Sequence, residues 1–168
     1  MYIANVMSKR DSKIKMAVLT LSKCFMAGHS NAGKQTGFAE KLESGEKRHT
    51  IRANYKWWAR KAEQINAGKM VLCIRQWSGR PYFSQQVELK RLERVRLQHI
   101  VIRHEWNADR ISMHEVVYID GRKLSLEEEM ELAKNDGLTY EEWLEWMCQH
   151  NRDLADGVII HFTESLEY

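Results

Sequence analysis

The sequence predicts one α+β domain in which helices flank a small, mixed, barrel-like β-sheet. Three observations lead to this prediction. The 168 residues are 43% hydrophobic and 29% charged, which is typical of a globular chain long enough to bury its own core. Consecutive strand-like segments follow one another between residues 70 and 119. Helix signals lie before and after this block, which argues against the regular βαβ alternation of a doubly wound sheet.

The predicted strands are short apolar or alternating segments bounded by turn residues. In chain order they lie at residues 16–21, 70–77, 82–92, 96–103, 116–119 and 158–162. The first (MAVLTL) and the last are continuously apolar, as in buried strands. Val87 and Leu89 alternate with charged neighbours, which indicates a sheet with one face in water.

Four helices are predicted from capping residues and apolar spacing. The first follows Thr36 and ends at Gly45, because glycine suits the left-handed position after a helix. The second covers residues 55–66, where apolar side chains recur every three or four positions. The third and fourth begin at Ser125 and Thr139, each followed three residues later by a glutamate that completes a capping box.

The chain is predicted to consist of a loosely ordered extension at residues 1–15 and one domain at residues 16–168. No apolar run approaches the roughly 18 residues needed to cross a bilayer, so we expect no membrane association. The three cysteines are far apart and form no C-x-x-C pair. A reduced, cytoplasmic setting is therefore expected.

Charge is distributed unevenly along the chain. Residues 1–119 carry 22 basic and 10 acidic side chains, whereas residues 120–168 carry 4 and 13. The basic body suggests an anionic partner such as RNA, and the acidic helices at residues 125–150 offer a surface for a protein partner. Packing of the two segments against each other is the alternative explanation.

One glycine-rich stretch approaches a phosphate-binding loop. Residues 28–36 (GHSNAGKQT) lie between a predicted strand and a predicted helix. Gln35 stands where the motif needs a hydroxyl for Mg²⁺, and moving to Thr36 breaks the spacing. A polar turn before a helix is therefore favoured over a phosphate loop.

The segment at residues 47–62 combines basic and aromatic side chains. It contains six lysines and arginines, one histidine, three aromatic residues and no carboxylate. Cations bind phosphates and flat rings stack on bases, so this composition is typical of a nucleotide or single-stranded nucleic-acid site. A solvated basic helix face is the alternative. The candidate binding residues are Lys47, Thr50, Arg52, Lys56 and Trp57. If the segment is extended, Thr50 and Arg52 share one face of a strand.

A second candidate rim is the turn at residues 76–82, which carries Trp77 and Tyr82, although a simple hairpin tip is the slightly favoured explanation. The seven histidines, His104 among them, show no H-x-x-x-H pair on a helix and no cysteine at zinc-finger spacing. We therefore expect no metal site and no other cofactor.

The motif at residues 45–52 (GEKRHTIR) resembles the ASCH family of the PUA-like superfold, whose members carry G-x-K-x-x-T-x-R after a short helix. The Trp77 turn and the ending from residue 136 to the strand at 158–162 are similar to bacterial and phage members. The resemblance covers roughly residues 16–164. It implies a small mixed β-barrel with surrounding helices and a cleft that holds nucleic acid or a nucleoside.

Some small bacterial members of this family are acetylcytidine amidohydrolases, in which the lysine and threonine of the motif act with a glutamate from a later helix. The first two match Lys47 and Thr50. The glutamate has no counterpart, because Asn135 stands at the corresponding place. Glu131 or Asp136 would replace it only if the helix were rotated or shifted.

The sequence thus predicts an RNA- or nucleoside-binding PUA-like domain. The alternative is an amidohydrolase acting on an acylated pyrimidine nucleoside, with Lys47 as the base toward water or the Thr50 hydroxyl. A non-enzymatic protein-interaction module is the second alternative. The enzyme hypothesis requires a carboxyl group within hydrogen-bond reach of Lys47 or Thr50, and the binding hypothesis does not.

Overall fold

The computed structural model describes residues 14–148, 152–166 and 168. The strands are β1 (Lys15–Leu21), β2 (His49–Ala53), β3 (Met70–Trp77), β4 (Gln86–Leu92), β5 (Arg96–Trp106), β6 (Met113–Ile119), β7 (Arg122–Lys123) and β8 (Leu154–His161). The helices are α1 (Phe38–Ser44), α2 (Tyr55–Asn66), α3 (Leu126–Asn135) and α4 (Tyr140–Met147). Most of the predicted extension at residues 1–15 lies outside the described residues, so its boundary stays a prediction.

The strands form two open sheets. One has the order β1-β3-β4 and the other the order β2-β8-β5-β6-β7. Only β1 and β3 pair in parallel among these ladders. Neither sheet closes on itself within the described part of the chain. The predicted β-barrel is therefore wrong, and the fold is α+β with two sheets and four helices.

The gap between β1 and β2 explains why the sheets stay open. β1 pairs with β3 and β2 with β8, so within the described residues each of β1 and β2 has one edge without a ladder. A side chain spans the gap instead: Arg52 of β2 donates from Nη2 to the main-chain oxygen of Thr20 on β1, at 2.9 Å. Because a guanidinium offers several donors, one arginine can bond to main-chain oxygens that would otherwise bond to a neighbouring strand.

Helix α2 confirms the spacing seen in the sequence. Trp58, Ala62 and Ile65 form its buried stripe, and the helix packs against β3, β5 and β8. Its first turn is capped by Asn54, whose side chain accepts from the Trp57 amide. The basic side chains of Lys56 and Arg60 lie outside the core, on its exposed faces.

Helices α3 and α4 begin at the two predicted capping boxes. Ser125 exchanges bonds with Glu128, and Thr139 does so with Glu142. Trp143, on α4, is completely buried. The described helices all lack the length and apolarity that a membrane crossing would require. The turn that joins α3 to α4 starts where the Asp136 amide donates to the Leu132 and Ala133 carbonyls, and it ends at the Thr139 capping box.

Acidic side chains of the C-terminal segment hold the loop after β1. The Glu145 carboxylate on α4 accepts bonds from the amide and hydroxyl of Ser30, and Glu142 accepts from Asn31. The donors in these contacts are neutral, so the contacts do not pair the acidic segment with basic charge.

Several strand boundaries differ from the predictions, among them the start of β8, which lies at Leu154 rather than at residue 158. β4 begins at Gln86 because residues 81–84 form a turn, in which Tyr82 has a φ of 66°. β5 and β6 extend as a long hairpin beyond their predicted ends, where cross-strand pairing continues through polar residues. β7 contains two residues, too few to show alternation in a sequence.

We predict that Gly157→Ala lowers the free energy of unfolding by about 1–3 kcal/mol, because it overfills a packed strand junction. Gly157 lies between β2 and β5, and a Cβ there would lie 2.8 Å from the main-chain oxygen of Ile100. Gly79→Ala is the control, because its Cβ would meet nothing closer than 3.4 Å. Urea unfolding measures both variants, and an equal effect would contradict the packing described.

Candidate functional site

A cavity of about 270 Å³ opens between the two sheets, next to the gap that Arg52 spans. Its polar lining includes Lys47, Thr50, Arg52 and Asp136. Apolar side chains from α1, α4 and the turn between α3 and α4 complete the wall; they are Phe38, Leu138, Trp146 and Met147. The three groups that the sequence motif singled out therefore meet in one hollow.

Lys47 lies just before β2 and is buried, with 1% of its surface exposed. Its Nζ donates to Asp136 twice, to the carboxylate Oδ1 at 2.6 Å and to the main-chain oxygen at 2.5 Å. The ammonium also lies 4.1 Å from the centre of the Phe38 ring, where the face of the ring attracts a cation. The lysine is thus fixed from several sides.

Asp136 follows the last turn of α3, and main-chain bonds hold it against β2. The Arg48 amide donates to the Asn135 carbonyl at 2.7 Å, next to the Lys47–Asp136 contact. Gly137 has a φ of +81°, and a Cβ at this position would lie 3.3 Å from the Lys47 Cβ. Glycine therefore allows the chain to turn while passing close to the lysine.

Thr50 and Arg52 lie on the same face of β2, as the alternation predicts. Arg52 donates from Nη1 to the Thr50 hydroxyl at 2.7 Å and to the Ile51 carbonyl at 2.7 Å. The hydroxyl oxygen is thereby oriented by a cation, and its own hydrogen stays available for a ligand.

Burial governs the ionisation of the central pair, since the side chains of Lys47 and Asp136 are only 1% and 4% exposed. Desolvation lowers the pKa of Lys47 below 10.5, and the charges of Arg52 and Lys41 lower it further against the opposing effect of Asp136. Desolvation likewise raises the pKa of Asp136 above 3.8, against the effect of Lys47. Both shifts reflect the cost of burying a charge, and the 2.6 Å contact between the two groups offsets that cost when both are ionised.

His49 is a buried neighbour of the pair. Its Nδ1 lies 3.9 Å from the Asp136 carboxylate, and its Nε2 lies 2.8 Å from the Tyr168 hydroxyl. Burial, and next the charge of Lys47, lower the pKa of His49 well below 6.5. The imidazole is therefore neutral near pH 7 and adds no second cation.

Three predicted site residues lie elsewhere. Lys56 and Trp57 are on an outer face of α2, where Trp57 is 44% exposed and packs edge-on against Trp58. Trp77 ends β3 and stacks near Tyr82, with 5.3 Å between the ring centres. None of the three lines the cavity, to which α2 and β3 contribute no residue.

Sequence reasoning named Asp136 only as one of two conditional replacements for a missing glutamate. The other, Glu131, is exposed and pairs with Lys134 at 3.8 Å. Asp136 lies 89 positions from Lys47, so no local spacing connects them. Two local signals could have located the turn that carries Asp136: the capping box at which α3 begins, and the glycine that follows the end of the helix.

A larger hollow of about 390 Å³ lies beside Asn66 and His161, and it contains none of the predicted site groups. The Asn66 side chain is engaged on both sides by the main chain of Val95. Burial lowers the pKa of His161 to about 3, which keeps it neutral. We therefore place the candidate site in the smaller cavity, where charged groups converge.

The glycine-rich stretch at residues 28–36 forms turns. Lys34 donates to the Asn31 side chain at 2.9 Å, and α1 begins only after Gly37, its N-cap. The polar-turn interpretation thus agrees with the geometry.

No family model, curated protein or solved structure matches this chain. Inferences about its function therefore rest on the cavity and its side chains.

We predict that Asp136→Ala lowers the free energy of unfolding by about 3–5 kcal/mol, because it leaves the Lys47 charge buried without its partner. The double variant Lys47→Met/Asp136→Leu should recover much of this loss, since it removes both charges. Lys134→Ala, which breaks an exposed pair, serves as the control and should cost less than about 1 kcal/mol. Chemical unfolding measures the stability of all three variants. A loss in Asp136→Ala as small as that in Lys134→Ala would contradict a buried charged pair of Lys47 and Asp136.

Proposed function

We propose that the chain is an ASCH-type domain whose cavity binds a modified pyrimidine nucleoside. One observation carries the proposal: the Lys47, Thr50 and Arg52 side chains converge on a single hollow, together with the Asp136 carboxyl group. These are the groups of the G-x-K-x-x-T-x-R motif on which the resemblance rests.

The size of the cavity favours a single small ligand over a length of RNA. Its volume of about 270 Å³ is close to the lower end of ordinary small-molecule sites, about 300 Å³. The apolar wall, which includes Phe38 and Trp146, supplies flat surfaces for a base. The polar groups opposite this wall supply donors for carbonyl or hydroxyl oxygens.

RNA association is the broader form of this proposal. Lys56 and Trp57 lie together on α2, and the Lys61 Nζ lies 5.1 Å from the centre of the Trp57 ring. Such an exposed surface suits a longer strand, but it is separate from the cavity. Variants in the cavity and on α2 therefore distinguish nucleoside binding from RNA association.

An amidohydrolase is the second candidate, and the 2.6 Å contact between Lys47 and Asp136 favours it. The neutral lysine amine would take a proton from water or from Thr50, and the oxygen so formed would attack the acyl carbon of an amide. Arg52, which already donates to Thr50, would stabilise the negative oxygen. Return of the proton to the departing nitrogen releases the amine. If water attacks, the acyl group leaves directly as a carboxylate; if Thr50 attacks, a second water hydrolyses the acyl-threonine ester and releases the carboxylate.

We predict that cytidine or acetylcytidine binds in the cavity and that Thr50→Val and Arg52→Gln each weaken binding by about tenfold or more, the loss of one hydrogen bond to a charged or oriented group. Lys56→Ala and Trp57→Ala are the matched controls and should bind like the wild type. Isothermal titration calorimetry measures the affinities. If only the α2 variants weaken the binding of a single-stranded RNA probe, the binding site lies on α2 and not in the cavity.

We predict that, if the chain is an enzyme, acetate release from acetylcytidine falls as the pH decreases, because protonation of Lys47 removes the base. Since burial lowers the pKa of Lys47 below 10.5, this fall occurs below that pH. Lys47→Met and Asp136→Asn should abolish release, whereas Lys41→Met should retain it. Chromatography of the products measures acetate release. If no acetate is released at any pH, the amidohydrolase proposal is wrong, whereas the nucleoside-binding proposal is unaffected.

A further inference from the structure

A second group of side chains with metal-binding chemistry lies away from the cavity. His104 of β5, Glu115 of β6 and Cys148 after α4 each offer one donor atom, and all three donors lie within 4.8 Å of one another. We call these three residues the His-Glu-Cys cluster. Each comes from a different element, so only the fold brings them together.

His104 has the orientation of a prepared metal ligand. Its Nδ1 donates to the Asp153 carboxylate at 2.9 Å, and its main-chain amide donates to the same oxygen at 3.0 Å. This bond places the hydrogen on Nδ1 and leaves the lone pair on Nε2. Metal-binding histidines are commonly fixed by a carboxylate in this way.

The free nitrogen points into the cluster. The His104 side chain is only 4% exposed, yet its Nε2 has no hydrogen-bond partner among the described residues. The Glu115 oxygen lies 3.9 Å away, too far for a hydrogen bond. A cation between the two atoms would satisfy both.

The distances fit a small tetrahedral ion after a modest contraction. Zinc binds nitrogen and oxygen at about 2.0–2.2 Å and sulfur at about 2.3 Å, which separates neighbouring ligands by roughly 3.3–3.8 Å. The nitrogen–oxygen separation of 3.9 Å is already close to this range, and no donor pair exceeds 4.8 Å. Cys148 and Glu115 are half-buried, so the contraction falls on side chains at the edge of the fold.

The surrounding charge also favours a cation. Three carboxylates, from Glu115, Glu129 and Asp153, act on the Cys148 sulfur with negative charge. A mixed nitrogen, sulfur and oxygen donor set excludes Mg²⁺ and Ca²⁺, which prefer oxygen alone, and suits Zn²⁺.

We propose that the His-Glu-Cys cluster binds Zn²⁺ through His104, Glu115 and Cys148, with the fourth position open to water. The expectation of no metal site rested on spacing, which cannot detect ligands from three separate elements. Cys148 follows directly after Trp146 and Met147, two residues of the cavity wall. Zinc at the cluster would therefore hold the end of α4 and that wall together. This proposal is independent of the proposed function.

Cobalt titration of the full chain tests the proposal. Co²⁺ replaces Zn²⁺ in such sites and gives a near-ultraviolet band when a thiolate binds it, together with intense visible bands when the site is tetrahedral. We expect both in the wild type at one equivalent, and their loss when Zn²⁺ is added. Asp153→Asn should weaken binding by about 10- to 100-fold, because it releases the His104 ring.

Ligand and control variants make the result specific. Cys148→Ser should remove the thiolate band, and His104→Gln should weaken cobalt binding by at least the factor seen for Asp153→Asn. Cys24→Ser and His99→Gln are the matched controls, since Cys24 is another half-buried thiol and His99 another histidine near a carboxylate. Circular dichroism verifies folding of every variant. A wild type without a thiolate band, or a band that survives Cys148→Ser, would overturn the proposal.

Discussion

The buried contact between Lys47 and Asp136 is the interaction on which the rest of the site depends. Two opposite charges removed from water are tolerated only when they meet each other and when their remaining donors and acceptors are satisfied. Here the lysine also reaches the Asp136 main chain and the face of Phe38. The contact therefore fixes the end of α3 against the start of β2, and with it the position of both groups in the cavity.

The open sheets supply the space in which that contact becomes useful. β1 and β2 each leave an edge unpaired, and Arg52 spans the gap where main-chain bonds would have filled it. A closed ladder would have left no room for a ligand between these edges. The Arg52 guanidinium compensates for the missing ladder and also orients the Thr50 hydroxyl. The open sheet and the chemistry of the site therefore depend on the same side chain.

Local signals predicted the elements well and the assembly poorly. The capping boxes at Ser125 and Thr139 located two helices, and alternation along β2 placed Thr50 and Arg52 on one face, because both depend on nearby residues. Sheet closure depends on which distant edges pair, and Asp136 reaches Lys47 across 89 positions. Composition alone also assigned Lys56 and Trp57 to the site, although both lie on an outer face of α2 and do not line the cavity.

Amide and side-chain chemical shifts during a titration with acetylcytidine test the location of the site most directly. If the cavity is the site, the largest changes occur at Thr50, Arg52 and Gly137, and the Trp57 indole on the outer face of α2 stays unchanged. Changes centred on Trp57 or Trp77, with Thr50 and Gly137 unaffected, would contradict the account.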